Sequence, residues 1–306
     1  MPAVSGLLVV DKPAGPTSFE VVKRVRRALG GAKAGHTGTL DPAATGVLAV
    51  CVGEAVKLQH WLVAGDKAYD AEILFGVATD TADAEGKPVA EADASALDRA
   101  AVTAALARFV GELDQVPPMF SAVRVGGRRL HEAARAGEEV DRAPRRVRVD
   151  ALDLLDFAPG PRARAKVAVR CGKGTYVRSL AVDLGQALGL PAHLAALRRT
   201  ASGPFTLAQA IPLGEVDRLG PAVAARLIPP EDALGALPAL RLSAAEERAI
   251  RHGQRLRLAT PEGPLVRALS AEGQLVALLE PSDGGARPVR VFAPPRTPEH
   301  PAPGSH

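Results

Sequence analysis

One acid in this chain stands in unusual company. Residues 35–48 read GHTGTLDPAATGVL, so three glycines, three threonines and a proline surround the carboxylate of Asp41. Pro42 pushes Asp41 out of helical geometry toward an extended backbone. Two roles fit that setting. Asp–Pro is a common helix start, with aspartate as N-cap and proline at the first helical position. A carboxylate framed by glycines is also suited to approach a substrate closely, as nucleophile or base. The stretch matches neither GxxxxGK[ST] nor GxGxxG, so it is not a phosphate loop of those types. His36 with Asp41 supplies two metal ligands without a third, a weak case for a metal site.

The aromatic residues favour the chemical role. The chain has only two tyrosines, Tyr69 and Tyr176. Each lies beside cations, in Lys67-Ala-Tyr69 and in Lys173-Gly-Thr-Tyr176-Val-Arg178. A lone tyrosine on an alternating strand reads as cross-strand packing. Two of them near cations, together with a glycine-framed acid, point to a pocket that stacks and hydrogen-bonds a nucleobase. The net charge of +4 adds a mild bias toward polyanions. Eight arginines fall between positions 124 and 148, and smaller basic groups hold Arg170, Lys173 and Arg178, then His193, Arg198 and Arg199. Arginine forks suit phosphate oxygens. An arginine-rich solvated face fits the same residues.

The elements that must position these groups follow from periodicity. LLVV within residues 6–10 reads as a first strand. Residues 18–29 read as a helix capped by Thr17 or Ser18, with Val22, Val25 and Leu29 on one face and Gly30 after its end. Residues 67–75 alternate, with Tyr69, Ala71, Ile73 and Phe75 on one side and Asp70 and Glu72 on the other, which predicts a half-buried strand. A helix carries Val102 and Leu106, a second strand spans 165–171, and a second helix spans 177–188. Residues 115–144 are basic and broken by proline and glycine, which predicts a long functional loop. After about Pro230 the runs 255–259, 265–269, 274–279 and 289–292 predict a small β module. The Pro-rich tail 294–306 is expected to be disordered. The expected fold is α/β of the α+β type: a mixed, largely antiparallel sheet flanked by helices, then a small β-rich domain. The expected division is 1–235, 236–293 and the tail.

Hydrophobic content of 47% and charged content of 24% are those of a folded chain. No apolar run approaches the roughly 18 residues of a membrane span. MPAVSGLLVVDKPAG has no basic region ahead of its apolar stretch, unlike a signal peptide. Cys51 and Cys171 stand in no CxxC and near no histidine cluster, and read as buried thiols in a reducing cytoplasm.

Five segments occur in a telling order: GHTGTLDPAATGVL, KAYDAEILFGVATDTADAEG, QVPPMFSAVRVGGRRLHEAARAG, CGKGTYVRSLAVDLG and HLAALRRTASGPF. Together they resemble the TruB family, bacterial synthases that make pseudouridine at position 55 of tRNA. The likeness runs from about residue 6 to 213, and residues 236–293 more loosely resemble that family's PUA-type RNA-binding domain. One departure is Phe120, where the family often has tyrosine. The resemblance implies that Asp41 is the essential aspartate and that Tyr69 stacks on the target uracil. Tyr176 and Arg178 would sit beside the acid, Leu197 would form an apolar wall, and His36 would help to hold flipped-out nucleotides. Lys67 and Asp80, the latter in a TDTxD motif with Thr81 and Asp83, are expected at the substrate. The family needs no cofactor or metal, and the expected partner is the T arm of tRNA, with no membrane and no obligate protein partner, the enzyme acting as a monomer in the cytoplasm. Arg178 near Asp41 would lower its pKa and keep it ionised. The carboxylate would attack C1′, add to C6 or act as a base at C2′, alternatives that the residues alone leave open.

Overall fold

Apolar patterning divides the main sheet into two halves. Strand β1 (Gly6–Lys12) and strand β3 (Thr45–Val52) are nearly continuous runs of buried residues, as expected where both faces are covered. Leu8, Val10, Leu48 and Val50 meet Val21, Val22 and Val25 of helix α1 (Ser18–Ala28) and Leu213 and Val216 of a helix at Leu213–Leu219. Leu7, Val9, Val47 and Ala49 point to the opposite side. Strands β4 (Lys67–Phe75) and Arg164–Cys171 instead alternate, because only one of their faces packs on helices Arg99–Ala107 and Val177–Ala187. The structure, a computed structural model, describes residues 4–293 except 122, 126, 136, 137, 139, 258 and 283. Nor does it describe the side chains of Arg124, Arg129 and Arg135. The expected tail 294–306 lies outside the described residues.

The large sheet has ten strands. The remaining ones are β2 (Ala34–His36), β5 (Gly111–Gln115), β6 (Arg145–Ala158), β7 (Arg164–Cys171), β8 (Ala192–Ser202), β9 (Phe205–Thr206) and β10 (Ile211–Pro212). Their order is β10-β1-β3-β8-β4-β7-β6-β5, with β2 on β3 and β9 on β8. All pairs are antiparallel except β1 with β10 and β3 with β8. The mixed, largely antiparallel sheet with flanking helices agrees with expectation. So does α1, whose Thr17 and Glu20 form a reciprocal capping box. The segment 115–144 is less irregular than expected. It holds a short hairpin, Arg124–Val125 with Arg128–Arg129, and a helical turn at Leu130–Arg135.

The second sheet has four strands, β11 (Ala239–Arg241), β12 (Val266–Leu269), β13 (Leu275–Ser282) and β14 (Gly285–Val291), in that order. The run 255–259 is not one of them: it supplies an isolated bridge from Leu256 to Ala286. Its place is taken by β11, which pairs parallel to β12 through three residues, too short a run to show a period.

This sheet shares a core with the first. Leu275, Leu278 and Phe292 are buried in one cluster with Leu7, Val9, Leu58 and Phe205. The amide of Ala293 donates to Glu54 at 2.8 Å, and Lys57 donates to the Val291 carbonyl at 3.1 Å. Ending the chain at residue 235 therefore uncovers β1 and β3. Each lost apolar side chain is worth roughly 1.5–3 kcal/mol. The truncated chain is expected to melt well below the full chain and to bind a hydrophobic dye. An unchanged melting temperature would show that the second sheet is not part of the core.

Candidate active site

Asp41 lies in the connection from β2 to β3, and no helix begins at Pro42. The residues after it turn once, with Ala44 N–H donating to the Asp41 carbonyl at 3.1 Å, and enter β3. The capping role is therefore removed: β3 is claimed by its both-sided apolar run.

Irregular backbone must find partners for its polar groups, and here almost every carbonyl has one. Arg199 Nη2 donates to Gly38 O at 3.1 Å and Nη1 to Thr39 O at 3.2 Å. The Ser18 hydroxyl donates to Leu40 O at 2.9 Å and accepts from its N–H at 2.8 Å. Pro42 O accepts from Gly15 N at 2.9 Å and from Lys12 Nζ at 2.9 Å. Lys12 also donates to Ala44 O at 2.6 Å. The loop is thus pinned from α1, β1 and β8 at once. Lys12 is fully buried, and burial pushes its ammonium down to about 8, against the pull of the Asp41 and Glu85 charges.

Across from the loop lies Arg178, at the start of α3 (Val177–Ala187, α2 being Arg99–Ala107). It is 5% exposed. Its Nη2 meets Asp41 Oδ2 at 3.1 Å and Phe120 O at 2.7 Å; its Nη1 meets Thr81 O at 3.3 Å and Asp83 Oδ2 at 3.6 Å. Thr81 and Asp83 come from the loop between the short strands Val77–Thr79 and Pro88–Glu91. Ala82 between them has φ 61°, in the left-handed region, a strained turn that aims both neighbours at Arg178. Gln115, buried, holds the next residue over: it donates to Tyr176 O at 3.1 Å and accepts from its N–H at 2.7 Å.

These groups enclose a cleft of about 350 Å³. Asp41, Tyr69, Tyr176, Arg178, Leu197 and Lys67 line it. Tyr69 and Leu197 pack on the cores of both halves of the sheet, so the cleft sits over their seam. Burial raises the Tyr69 phenol, and the Arg199 guanidinium beside it opposes that shift. The Lys67 ammonium is turned inward, donating to Val63 O at 2.6 Å and to Gly65 O. His36 sits one step behind the lining; its Nδ1 accepts from Gly38 N–H at 3.3 Å, and burial, helped by Arg199, lowers its pKa. Asp80 does not line the cleft: its Oδ1 accepts from Lys87 N–H at 2.8 Å and shapes the hairpin loop.

Within TDTxD it is Asp83 that reaches the cleft arginine. Of the basic group His193, Arg198 and Arg199, the first and last are buried, and Arg198 pairs with Asp11 at 2.8 Å. One expectation needs correction. The Asp41 pKa is raised above its ordinary value, not lowered. Burial dominates, Arg178 pulls it back, Asp83 pushes it up again and Lys12 pulls it down. The side chain is still 42% exposed because one side opens on the cleft while protein walls the others, and solvent there screens its charge. Lys12, Gln115 and Arg199 were missed. Periodicity could have flagged Arg199, which shares a face of β8 with Leu197.

Fold and cleft together define a base-modifying enzyme of the pseudouridine synthase class. Residues 26–177 match the family described as TruB family pseudouridylate synthase (N terminal domain). Residues 178–234 match a tRNA pseudouridylate synthase B C-terminal domain, and residues 237–293 a tRNA Pseudouridine synthase II, C terminal, domain. The chain is 57% identical to the tRNA pseudouridine synthase B of Symbiobacterium thermophilum over 82% of each chain. It is 46% identical to that of Pseudomonas aeruginosa over 92% of this chain and 94% of the relative. Among solved structures it resembles the archaeal box H/ACA Nop10–Cbf5 complex, at TM-score 0.71 and 25% identity, covering 96% of this chain and 88% of that one. It also resembles an H/ACA RNP bound to a substrate RNA, at TM-score 0.70 and 26% identity, covering 94% and 85%. The chain belongs to the TruB family.

The Asp41 shift makes a prediction about stability. A carboxyl whose native pKa lies above its unfolded value holds its proton more tightly when folded, so stability falls as pH rises through that range. Asp41→Asn removes the ionised form and should melt higher relative to the unsubstituted chain at pH 7 than at pH 4. A melting difference that is constant with pH, or that reverses, would overturn the assignment of burial as the dominant influence.

Proposed function

We propose that this chain isomerises the uridine at position 55, in the T arm of tRNA, to pseudouridine. In this reading the N1–C1′ bond breaks, the uracil turns, and C5 bonds to C1′. C5 loses its proton and N1 gains one, so nothing is oxidised or reduced and no co-reactant is needed. The observation that carries the reading is the pairing of Asp41, on its pinned loop, with the buried Arg178 at the edge of a cleft walled by Tyr69 and Leu197. The target base must be turned out of its stack at a cost of a few kcal/mol. Stacking on the Tyr69 ring returns about 1–3 kcal/mol, and the apolar walls keep water from the opened glycosidic bond.

Residues 236–293 act in this reading as an RNA-binding module of the PUA type, set beside a catalytic unit over 1–235. The two relatives described above, named for tRNA, are 57% and 46% identical to this chain, against 26% and 25% for the two H/ACA structures. That contrast supports a bacterial cytoplasmic enzyme that recognises tRNA as a single chain, without a guide RNA. No helix among the described residues is long and apolar enough to cross a membrane.

The test is direct. Pure protein is incubated with an unmodified tRNA transcript, pseudouridine is chemically labelled, and the site is read by mass spectrometry. The expected product is pseudouridine at position 55, and Asp41→Asn should make none while still binding tRNA. Substantial turnover by Asp41→Asn, or product only when other proteins or a guide RNA are added, would sink the reading.

Arg178→Lys separates aim from charge. Lysine keeps the charge but cannot span Asp41, Asp83 and two carbonyls, and each buried acceptor left without a donor costs about 1–3 kcal/mol. A misplacement of the acid by about 1 Å lowers the rate on the order of a hundredfold. The single-turnover rate should fall by about that factor with tRNA affinity nearly unchanged. A normal rate with weakened, more salt-sensitive binding would make Arg178 a phosphate contact instead.

A further inference from the structure

Arg199 heads the fully buried side chains by size, at 2% exposure, and the reaction as argued above does not use it. Among the described residues no carboxylate lies within ion-pair reach of its guanidinium, so the buried charge is held by neutral acceptors alone. Nε donates to Val47 O at 2.7 Å, Nη1 to Thr39 O at 3.2 Å and Nη2 to Gly38 O at 3.1 Å. Tyr69 lies beside it, its direct cross-strand neighbour and a fellow member of the cleft wall. Burying a guanidinium in this way is costly, and an apolar side chain of similar volume would often serve packing as well or better. Burial depresses the pKa values of His36, Lys12 and Lys67, and the Arg199 charge adds to the depression in each.

The backbone is built to bring this arginine close. Arg199 is the direct cross-strand partner of Tyr69 on β4 and the parallel partner of Gly46 on β3. At Gly46 φ is +99°, and a Cβ there would lie 2.2 Å from Arg199 O and 2.8 Å from its N. Only glycine permits that approach. The second TG of TGTLDPAATG thus belongs to the seating of Arg199, not to phosphate binding.

We infer that Arg199 is a positioning residue: one rigid guanidinium fastens the loop that carries Asp41 to β3, beside Tyr69, and so fixes carboxylate and aromatic ring relative to each other before substrate enters. The inference rests on the reading of the cleft as a pseudouridine synthase site. Arg199 lines the cleft wall, yet Nε, Nη1 and Nη2 each donate to a backbone carbonyl of the protein. The Tyr69 ring is held by packing on the cores of both halves of the sheet.

The experiment compares Arg199→Lys, Tyr69→Phe and the double variant, with single-turnover rate and tRNA affinity measured on each. Arg199→Lys keeps the charge and loses the fork, so the rate should fall about 10- to 100-fold while affinity changes by less than about threefold. The double variant should lose less than the product of the two single losses, because the two side chains are direct neighbours in one site. A second readout is independent of turnover. With tyrosine labelled at Cζ, the two tyrosines give two NMR signals, assigned with Tyr176→Phe. Arg199→Lys should shift the Tyr69 signal and leave the Tyr176 signal in place. Arg199→Gln replaces it if the lysine variant does not fold. A rate within about twofold of the unsubstituted chain, or multiplicative losses with an unmoved Tyr69 signal, overturns the inference. Failure of the unsubstituted chain to form pseudouridine overturns instead the reading of function, and the NMR comparison still decides the coupling.

Discussion

The buried charge of Arg178 is the interaction on which the rest of the site depends. A guanidinium at the edge of an apolar core is tolerable only when its donors are satisfied, and removing one partner leaves an expensive orphan. Here the partners come from three places far apart in sequence: Asp41, Thr81 with Asp83, and Phe120. Each must arrive before the charge is compensated, so folding of the β2–β3 loop, the 77–91 hairpin and the start of the 115–144 segment converge on one side chain. Phe120 takes part through its carbonyl, which any residue offers, so phenylalanine in place of tyrosine leaves the Arg178 link intact.

The electrostatics of the cleft follow from that arrangement. Lys12, Arg178 and Arg199 are buried cations, and Asp41 and Asp83 are the acids facing them. Burial works against Lys12, Arg199 and Asp41, and Asp41 and Lys12 partly relieve each other. Asp41 ends with a raised pKa because burial outweighs the pull of Arg178, and Asp83, which shares that arginine, adds to the rise. A carboxylate stripped of water but incompletely neutralised is more basic and more nucleophilic than one locked in a symmetric ion pair. The second acid therefore tunes the first through their common arginine.

Much of this was legible in residue spacing. Alternation in 67–75 put Tyr69 on the inner face, and the helix start at 177 put Arg178 in the first turn. The fate of Asp41 was not legible from the loop itself. Asp–Pro fits a helix start, and what decides against it is the apolar run of β3, which is claimed by neighbours on both sides. The reach of Asp83 to Arg178 turned on the left-handed φ of Ala82, a backbone fact that an alanine does not advertise. His193 and Arg199 stayed open because a basic residue on a strand looks the same whether it faces solvent or lies beneath a cleft. The run 255–259 has strand composition, yet the edge beside β12 went to three residues with no visible period, since pairing on an edge is settled by what the rest of the sheet leaves open.

The topology explains why the site is where it is. Most of the sheet is antiparallel, and strands of that kind are joined by tight turns that leave little room for a cleft. The exception inside the sheet is the parallel junction of β3 with β8, where Arg198 pairs with Thr45 and Arg199 with Gly46. Two strands entering side by side in the same direction bring their preceding segments to the same end of the sheet. For β3 that segment is the loop of Asp41. β8 then turns the opposite way to β4, so Tyr69 is set across from Arg199 at that end. The change of strand direction also marks the seam between the both-sided core of β1 and β3 and the one-sided core of β4, β6 and β7. Neither core fills the space at the seam, and Tyr69 and Leu197 lean on both. The cleft is therefore the place where two differently patterned half-sheets join, and the acid is delivered to it by the one strand pair whose direction permits it.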